Sequence, residues 1–363
     1  MTDDVAHDLE LNYDKIVDAS GETHSFKEYL DRCRDSYTKQ IDKGILPKEC
    51  RNPVSLQFEL THKCNQRCLH CYNQSGMEAN AKCDLSVERW KELAREAGEL
   101  GVFECTISGG EPLLLGDSLF EIMDILLEYD IRIRFITNGM LLAQDVLNKL
   151  KKYKIRWLQV SIDGSRPELH DYIRGTDGAF RKAVSAAHLA KINGFPLLIA
   201  HAVVKSNMDY VEEMIDTAYI LGAEAIIIAP FFYSGRAIIN KDKLDLTSDE
   251  VSSAFSRIDI KRKEYNKRML VVSSLEEQAT LQLRNISANS GLVIGSSGDV
   301  KVDCTMPFII GNVLNSSIYE IWESVGKKIR DKEQIKEYLK SVKSSKDLLK
   351  PSFRNNVDKV NVG

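Results

Sequence analysis

The segment Cys64-Asn65-Gln66-Arg67-Cys68-Leu69-His70-Cys71-Tyr72 carries three of the eight cysteines of the chain. An apolar run at residues 54–60 precedes it and predicts a buried strand. A thiolate-rich loop at the carboxyl end of a strand is a suitable place for a soft metal centre. Three thiolates are one fewer than the usual four of a [4Fe–4S] cluster, so one iron would remain open to a small ligand.

Two other interpretations of the cysteine segment stay open on spacing alone. A structural zinc site usually combines paired cysteines with a fourth ligand, and His62 or His70 could supply that ligand. The three cysteines could also be unrelated structural residues. Motifs further along the chain are needed to decide whether the segment binds an iron–sulfur cluster, a zinc ion or no metal.

The chain has 363 residues, enough for one large domain or for one domain and an appendage. Hydrophobic residues make up 43% and the net charge is -4, so the composition indicates neither nucleic acid nor membrane as a partner. The start Met1-Thr2-Asp3-Asp4 lacks a signal-peptide pattern, and no apolar run approaches the ~18–20 residues that span a bilayer. We therefore expect a cytoplasmic protein, in which clustered cysteines favour metal binding or catalysis over disulfides.

From residue 54 onward, short apolar strands alternate with amphipathic helices. Such alternation predicts an α/β fold of parallel strands covered by helices, and six units predict a partial (β/α)6 TIM-like barrel. Residues 1–50 are expected to form an N-terminal helical extension, with an amphipathic helix through about residue 42. The predicted strands are 54–60, 103–107, 131–136, 156–162, 196–204 and 225–230, and the predicted helices are 86–99, 117–129, 142–152, 179–193 and 208–221.

Polar residues and glycines follow the predicted barrel strands at one end. The carboxyl ends of parallel strands lie at the same edge of a sheet, where such folds build their sites from loops. The sequence therefore predicts a single site assembled from these loops. In chain order they are the cysteine segment, Ser108-Gly109-Gly110-Glu111-Pro112, Thr137-Asn138-Gly139, Ser161-Ile162-Asp163-Gly164 and Lys205-Ser206-Asn207.

Together with these loops, the Cys-x3-Cys-x2-Cys segment resembles that of the radical S-adenosylmethionine (SAM) superfamily, in which an aromatic residue such as Tyr72 follows the third cysteine. The resemblance implies that Cys64, Cys68 and Cys71 bind three irons of a [4Fe–4S] cluster and that SAM chelates the fourth. It also implies that the reduced cluster cleaves SAM to a 5′-deoxyadenosyl radical, which abstracts hydrogen from a substrate. An external one-electron reductant such as flavodoxin or ferredoxin would supply the electron.

The loop Gly109-Gly110-Glu111-Pro112 resembles the loop that holds the α-amino group of SAM in this family. Glycine lets the backbone approach a ligand closely, and carbonyls beside a carboxylate suit a cationic amine. An ordinary strand–helix turn is the simpler interpretation. By the same resemblance, the other predicted contacts with the cofactors are Tyr72, Asn138, Ser161 and Arg174. Arg174 could pair with the methionine carboxylate through its fork of donors, although caps and a surface ion pair would also explain these residue types.

Three further polar residues near the predicted site have two interpretations each. Asp163 could cap a turn or contact a ligand. Arg236, after Gly235, could present a cation to substrate or SAM, or it could face solvent. A histidine within a predicted strand, such as His201 in the fifth strand, is more often a core residue than a catalyst.

The C-terminal part resembles the SPASM/twitch extension of radical SAM enzymes that modify peptides. Gly298-Asp299 joins two short strands as a hairpin, and Cys304, a Gly311-Asn312 turn and an Ile321-Trp322 helix follow. Of the cysteines that hold auxiliary clusters in that extension, only Cys304 is present, and one thiol does not hold a cluster. The expected region is therefore a small α+β appendage without auxiliary clusters.

Two cysteines outside the segment are candidate hydrogen-atom donors, because an S–H bond is weak. They are Cys304 in the hairpin and Cys83 in the loop after the cluster. For Cys304, a small buried hairpin residue is the simpler interpretation.

The predicted organisation is an N-terminal extension at 1–50, a radical SAM barrel at 51–235, a SPASM/twitch-like region at 236–350 and a flexible tail at 351–363. By family analogy alone, the substrate is expected to be a ribosomally made peptide that is cross-linked or epimerised. The alternative substrate is a small molecule of cofactor, tetrapyrrole or antibiotic biosynthesis. The alternative class is a non-catalytic metal-binding interaction protein.

Overall fold

The computed structural model describes residues 16–17, 23–24, 26–76, 84–273, 288–304, 308–341 and 360–361. Strands there are β1 (Ile16–Val17), β2 (Thr23–His24), β3 (Ser55–Glu59), β4 (Glu104–Ser108), β5 (Arg132–Thr137), β6 (Ile155–Ser161), β7 (Leu197–Val203), β8 (Ala225–Pro230), β9 (Leu270–Ser273), β10 (Gly291–Ile294), β11 (Asp299–Lys301), β12 (Phe308–Ile309), β13 (Gly311–Asn312) and β14 (Val360–Asn361). Helices there are α1 (Phe26–Asp42), α2 (Val87–Glu99), α3 (Asp117–Glu128), α4 (Gln144–Leu150), α5 (Pro167–Arg174), α6 (Ala179–Ile192), α7 (Val211–Ile220), α8 (Arg236–Ile239), α9 (Lys241–Leu244), α10 (Ser248–Glu264), α11 (Ile318–Ser324) and α12 (Glu333–Ser341).

One sheet of ten strands runs through the described residues, in the order β13-β11-β10-β3-β4-β5-β6-β7-β8-β9. Every pair from β10 and β3 through β8 and β9 is parallel. The fold is therefore α/β and has the partial TIM-like barrel arrangement that the alternation predicted. The parallel run is two strands longer than the six predicted, because β9 pairs with β8 and β10 pairs with β3.

Helix α2 shows how the helices cover the sheet and hold the strand that leads into the cysteines. Ser86 begins the helix by accepting a hydrogen bond from the Arg89 amide. One face of the helix is buried and carries Trp90, Leu93, Ala94 and Ala97. The Trp90 indole N–H donates to the carbonyl of Leu60 at 3.1 Å, and its ring centroid lies 5.1 Å from that of Phe58. Truncating a ring buried in this way costs about 3–5 kcal/mol.

Helix α5 lies between β6 and α6, where the sequence analysis predicted no helix. Pro167 stands in its first turn, and Gly175 ends it in the left-handed conformation with φ 59°. Proline at the start and glycine just past the end are a recognised helix signature. This short helix matters for function because Arg174 is its last residue.

The C-terminal residues extend the same sheet. Strands β10 and β11 form the predicted antiparallel hairpin through Gly298, and β10 pairs with β3. Helix α11 begins with a capping box between Ser317 and Glu320. Its Trp322 is fully buried and donates its indole N–H to the Arg51 carbonyl at 3.0 Å. In the tail, Val360–Asn361 pairs with β12. Within the described ranges, no helix combines the length and apolarity that crossing a bilayer requires.

Candidate metal and cofactor site

The three predicted metal ligands lie on the loop that follows β3. Cys68 is buried, and Cys64 and Cys71 are partly exposed. The end of α5 anchors this loop, because the Arg67 amide donates to the Arg174 carbonyl at 3.1 Å and the Leu69 amide donates to the Ile173 carbonyl at 2.8 Å. Carbonyls at a helix C-terminus need such partners, so the missed helix α5 supports the cysteine loop.

The segment from Ser234 to Arg236 supports the other side of the cysteine loop. The Arg236 guanidinium donates to the Cys68 carbonyl at 2.9 Å and to the Ser75 carbonyl at 2.7 Å. Ser234 donates to the Tyr72 carbonyl at 3.0 Å. The Arg236 side chain is partly buried and binds the backbone around the cysteines, a role that neither interpretation included.

Two side-chain donors point at the thiols. The Asn138 amide nitrogen lies 3.9 Å from Cys64 Sγ, and Arg174 Nη1 lies 3.8 Å from Cys68 Sγ. Burial raises the pKa of the Cys68 thiol to about 11, while Arg174 opposes the rise. Burial also raises the pKa of Cys64. N–H groups directed at sulfur suit thiolates that a metal cluster has deprotonated, so this donor set fits an iron–sulfur centre.

A single metal ion fits the same residues less directly. In the ranges that the structure describes, no group of three or more His, Cys, Asp or Glu side chains is arranged to hold one ion. A multi-iron cluster makes a different demand, since each thiolate binds a separate iron.

Gly109 and Gly110 pack against the cysteine loop itself. The Gly110 amide donates to the Thr61 carbonyl at 2.6 Å, and the Glu111 amide donates to the Lys63 carbonyl at 2.9 Å. A Cβ built on Gly110 would lie 2.0 Å from the Lys63 carbonyl oxygen, and one on Gly109 would lie 2.8 Å from that of Thr61. The close approach that these glycines permit is therefore to the chain's own backbone.

Glu111 is fully buried, and its carboxylate already has three protein partners. One oxygen accepts from the Leu113 amide at 3.2 Å and the Thr137 hydroxyl at 2.9 Å. The other accepts from the Asn138 amide at 2.8 Å. The carboxylate thus joins the glycine loop to the loop after β5. A hydrogen bond from the amine of SAM to Glu111 would have to form in addition to these three hydrogen bonds.

Asp163, which the sequence left undecided, is at the centre of a buried charged group. Its Oδ2 lies 2.7 Å from Arg174 Nε and 3.3 Å from His70 Nε2, and its Oδ1 accepts from the Ala202 amide at 2.8 Å. Burial alone would raise the pKa of Asp163, but Arg174 and the nearby imidazoles hold it well below its usual range. Burial lowers the pKa of His70 to about 4, so this imidazole is neutral near pH 7.

A small cleft of about 30 Å³, roughly the space of one water molecule, lies between the cysteine loop and the β10–β11 hairpin. At its base the Tyr72 hydroxyl donates to Glu59 at 2.7 Å. Both this tyrosine and Cys304 line the cleft, so the structure brings the hairpin cysteine beside the residue that follows the third cluster cysteine. Lysine and aspartate side chains, Lys301 and Asp299, complete a polar lining.

Residues 58–218 match the family model of the radical SAM superfamily. These residues, fewer than half of the chain, are similar to the radical SAM superfamily. This family implies two cofactors, SAM and an iron–sulfur cluster. The matched region runs from β3 through α7 and so includes the cysteine loop, the glycine loop, Asn138 and Arg174.

Relatives and solved structures extend the similarity beyond this region. The PqqA peptide cyclase of Granulibacter bethesdensis is 32% identical over 219 residues, which cover 60% of this chain and 58% of the cyclase. The AdoMet-dependent heme synthase of Methanosarcina barkeri is 28% identical over 304 residues, covering 78% of this chain and 86% of the synthase. The structure of SuiB from Streptococcus suis bound to precursor peptide SuiA has a TM-score of 0.64 at 16% identity, covering 90% of this chain and 77% of SuiB. At that identity the likeness concerns the fold.

The other predicted site residues of the matched region are placed as follows. Ser161 is the last residue of β6, at the same sheet edge as the cysteine loop, and is partly buried. His201 is buried in β7 and contacts the Ile162 carbonyl through Nδ1 at 3.0 Å, as expected of a core histidine. Cys83 lies outside the described residues. Glu59 was not predicted as a site residue, and His70 was predicted only as a possible zinc ligand.

Glu111 makes the stability of the folded chain depend on pH. Burial raises its pKa from 4.5 to about 7, so the folded chain binds this proton more tightly than the unfolded chain. The contribution of Glu111 to stability therefore falls as the pH rises from about 4.5 to about 7. Relative to the parent, Glu111→Gln should gain free energy of unfolding across this range, by up to about 1.4 kcal/mol per pH unit. Urea titrations at several pH values measure it, with the exposed Glu128→Gln as control; a difference independent of pH would contradict the prediction.

Proposed function

We propose that this protein is a radical SAM enzyme with one [4Fe–4S] cluster, held by Cys64, Cys68 and Cys71, that modifies a peptide. The observation that carries the proposal is the cysteine loop at the carboxyl end of β3, with side-chain donors directed at two of its thiols. When bound and reduced, the cluster would supply the electron for cleavage of SAM, and so the 5′-deoxyadenosyl radical that would abstract hydrogen from the substrate. A one-electron donor such as flavodoxin or ferredoxin is the proposed source of that electron.

The chain's own residues would organise this chemistry at one edge of the sheet. Glu111 holds the glycine loop and the Asn138 loop together, which keeps the backbone of Gly109 and Gly110 beside the cysteines. Backbone carbonyls there are the proposed partners of the SAM amine. Ser161, at the end of β6, is the proposed partner of a SAM hydroxyl or carboxylate.

A peptide is the preferred substrate because of the relatives. The cyclase named above acts on the peptide PqqA, and SuiB was solved with a precursor peptide. The surface around the small cleft between Tyr72 and the hairpin is the proposed place for the reacting substrate residue, since it borders the cysteine loop. Cys304 in this cleft is the proposed hydrogen-atom donor if the reaction is an epimerisation, and Cys83 remains the other candidate. We further propose that the region after residue 236 holds no auxiliary cluster.

A small molecule, such as a tetrapyrrole, is the second candidate substrate. One specific observation favours it: the heme synthase matches 78% of this chain, whereas the peptide cyclase matches 60%. A small molecule would require the cleft to close around it, whereas a peptide would require both ends of the cleft to stay open.

The test begins with anaerobic reconstitution, followed by incubation with SAM and dithionite. Equal amounts of 5′-deoxyadenosine and methionine are expected. A short peptide encoded beside the gene is then added, and the reaction in D₂O is analysed by mass spectrometry. Loss of two hydrogens would indicate cross-linking. Incorporation of one solvent deuterium at carbon would indicate epimerisation. Porphyrin precursors are assayed in parallel. Absence of 5′-deoxyadenosine from protein that contains a cluster would instead support a non-catalytic metal-binding protein.

A further inference from the structure

Arg174 joins a buried carboxylate to a buried thiol. Its side chain is only 10% exposed, and its Nε lies 2.7 Å from Oδ2 of Asp163, whose side chain is 1% exposed. Its Nη1 donates to Cys68 Sγ at 3.8 Å. The backbone of the same residue anchors the cysteine loop by accepting from the Arg67 amide. The guanidinium is therefore held from one side by Asp163 and directed at one particular thiol.

The other thiols have different surroundings. Cys64 receives a neutral donor, the Asn138 amide, at 3.9 Å, and this amide also binds Asn65 Oδ1 at 2.7 Å. Only at Cys68, which is the buried thiol of the three, does the described structure provide a formal positive charge at hydrogen-bond distance from sulfur. Charges that are buried interact strongly because little water screens them.

Reduction potentials of iron–sulfur clusters depend on net charge and on hydrogen bonds to the sulfurs. Reduction adds one negative charge to the cluster and its thiolates. A cation beside Cys68 stabilises this more negative state and raises the potential, whereas a neighbouring carboxylate lowers it. The Arg174–Asp163 pair therefore contains two opposed contributions, with the cation closer to the thiol.

We propose that Arg174 sets the reduction potential of the cluster through Cys68, and that Asp163 positions and partly offsets its charge. This inference rests on the proposed function, because it requires a cluster at the three cysteines. It assigns Arg174 a role that does not depend on contact with SAM. Arg174 and Asp163 are positioning residues in this account, since they act on the cluster through its ligand.

The experiment measures potentials rather than turnover. Parent protein and the variants Arg174→Gln, Arg174→Lys and Asp163→Asn are reconstituted anaerobically, their iron is counted, and each is titrated redox-potentiometrically without SAM, with EPR detection. Arg174→Gln should lower the midpoint potential by at least about 59 mV, which for one electron corresponds to a tenfold change in the reduction equilibrium. Arg174→Lys should shift it less in the same direction. Asp163→Asn should raise it.

The matched control is Arg166→Gln, which removes the same charge from an arginine just before α5. Arg166 is about half exposed and pairs with Glu213 at the surface, so water screens it and no shift in potential is expected. SAM affinity is measured in parallel by equilibrium dialysis. Parent-like potentials in Arg174→Gln, together with weaker SAM binding, would overturn the inference and make Arg174 a SAM contact.

The remaining outcomes are also decisive. If Arg174→Gln does not retain iron, the other two variants decide: an unchanged potential in Asp163→Asn overturns the inference. Shifts of the same sign in Asp163→Asn and Arg174→Lys would indicate general loosening of the loop and would also overturn it. Failure of the parent protein to bind iron would refute the proposed function instead, so the two failures can be distinguished.

Discussion

Replacing Cys64, Cys68 and Cys71 together with alanine is expected to reduce bound iron from about four atoms per chain, the content of one cubane cluster, to almost none. The three thiols are the donors on the loop after β3, and a carbon side chain offers no ligand to iron. Formation of 5′-deoxyadenosine from SAM should stop as well, because no site remains to deliver the electron. Iron analysis, the visible absorption spectrum and product quantification measure these effects.

Two single variants serve as controls for the triple variant. Cys50→Ala removes a partly buried thiol outside the site, and it should leave the iron content unchanged. Cys304→Ala tests the C-terminal region, where we propose that no auxiliary cluster is bound. Substantial iron in the triple variant, lost on adding Cys304→Ala, would show that Cys304 helps to hold a second centre.

Gly110→Ala is expected to separate the glycine loop from the cysteine loop. Its new Cβ would lie 2.0 Å from the carbonyl oxygen and 2.7 Å from the carbonyl carbon of Lys63. Backbone cannot rotate away as a flexible side chain can, so the hydrogen bonds from Gly110 and Glu111 to this loop should break. Overpacking of this kind costs about 1–3 kcal/mol. We expect a lower melting temperature, severalfold less iron after reconstitution and weaker SAM binding.

Gly295→Ala is the matched control, because the same methyl group is added at another glycine near the site. Its Cβ would lie 3.5 Å from the Asp299 carbonyl oxygen and 4.0 Å from a Glu59 oxygen, which are ordinary contact distances. Iron content and SAM affinity close to the parent values are expected for it. Equal behaviour of the two alanine variants would mean that Gly110 is not needed for packing between the loops.

The predicted strands and most predicted helices are present within a few residues of the expected bounds. Periodicity is a local signal, and buried parallel strands of this kind are short apolar runs that can be read directly. Helix α5 was missed because its eight residues are fewer than the about 11–18 over which helical periodicity is normally read. Its proline and glycine boundaries were visible in the sequence, at Pro167 and Gly175, and would have indicated it.

The three candidate metal ligands could be named from the sequence, because the loop after one strand carries all three, but the kind of metal could not be decided from their spacing alone. The contacts of residues from distant parts of the chain did not follow from the local sequence. Arg174 and Asn138 were carried over from the family as SAM contacts, and the structure places each within 4 Å of a thiol. Arg236 was expected to face a ligand or solvent, and its bonds to the carbonyls of Cys68 and Ser75 were not foreseen.

Local sequence was thus sufficient for the α/β class, the order of the elements and the three candidate metal ligands, since each of these depends on residues that are close together in the chain. Tertiary structure was required to find the partners of Arg174, Asp163, Glu111 and Gly110. The partner of Arg174 at the thiol is 106 residues away in sequence, and the atoms that exclude a side chain at Gly110 belong to Lys63. A residue type and its neighbours in sequence do not specify which buried group lies within hydrogen-bond distance, because that depends on how the strands are ordered in the sheet.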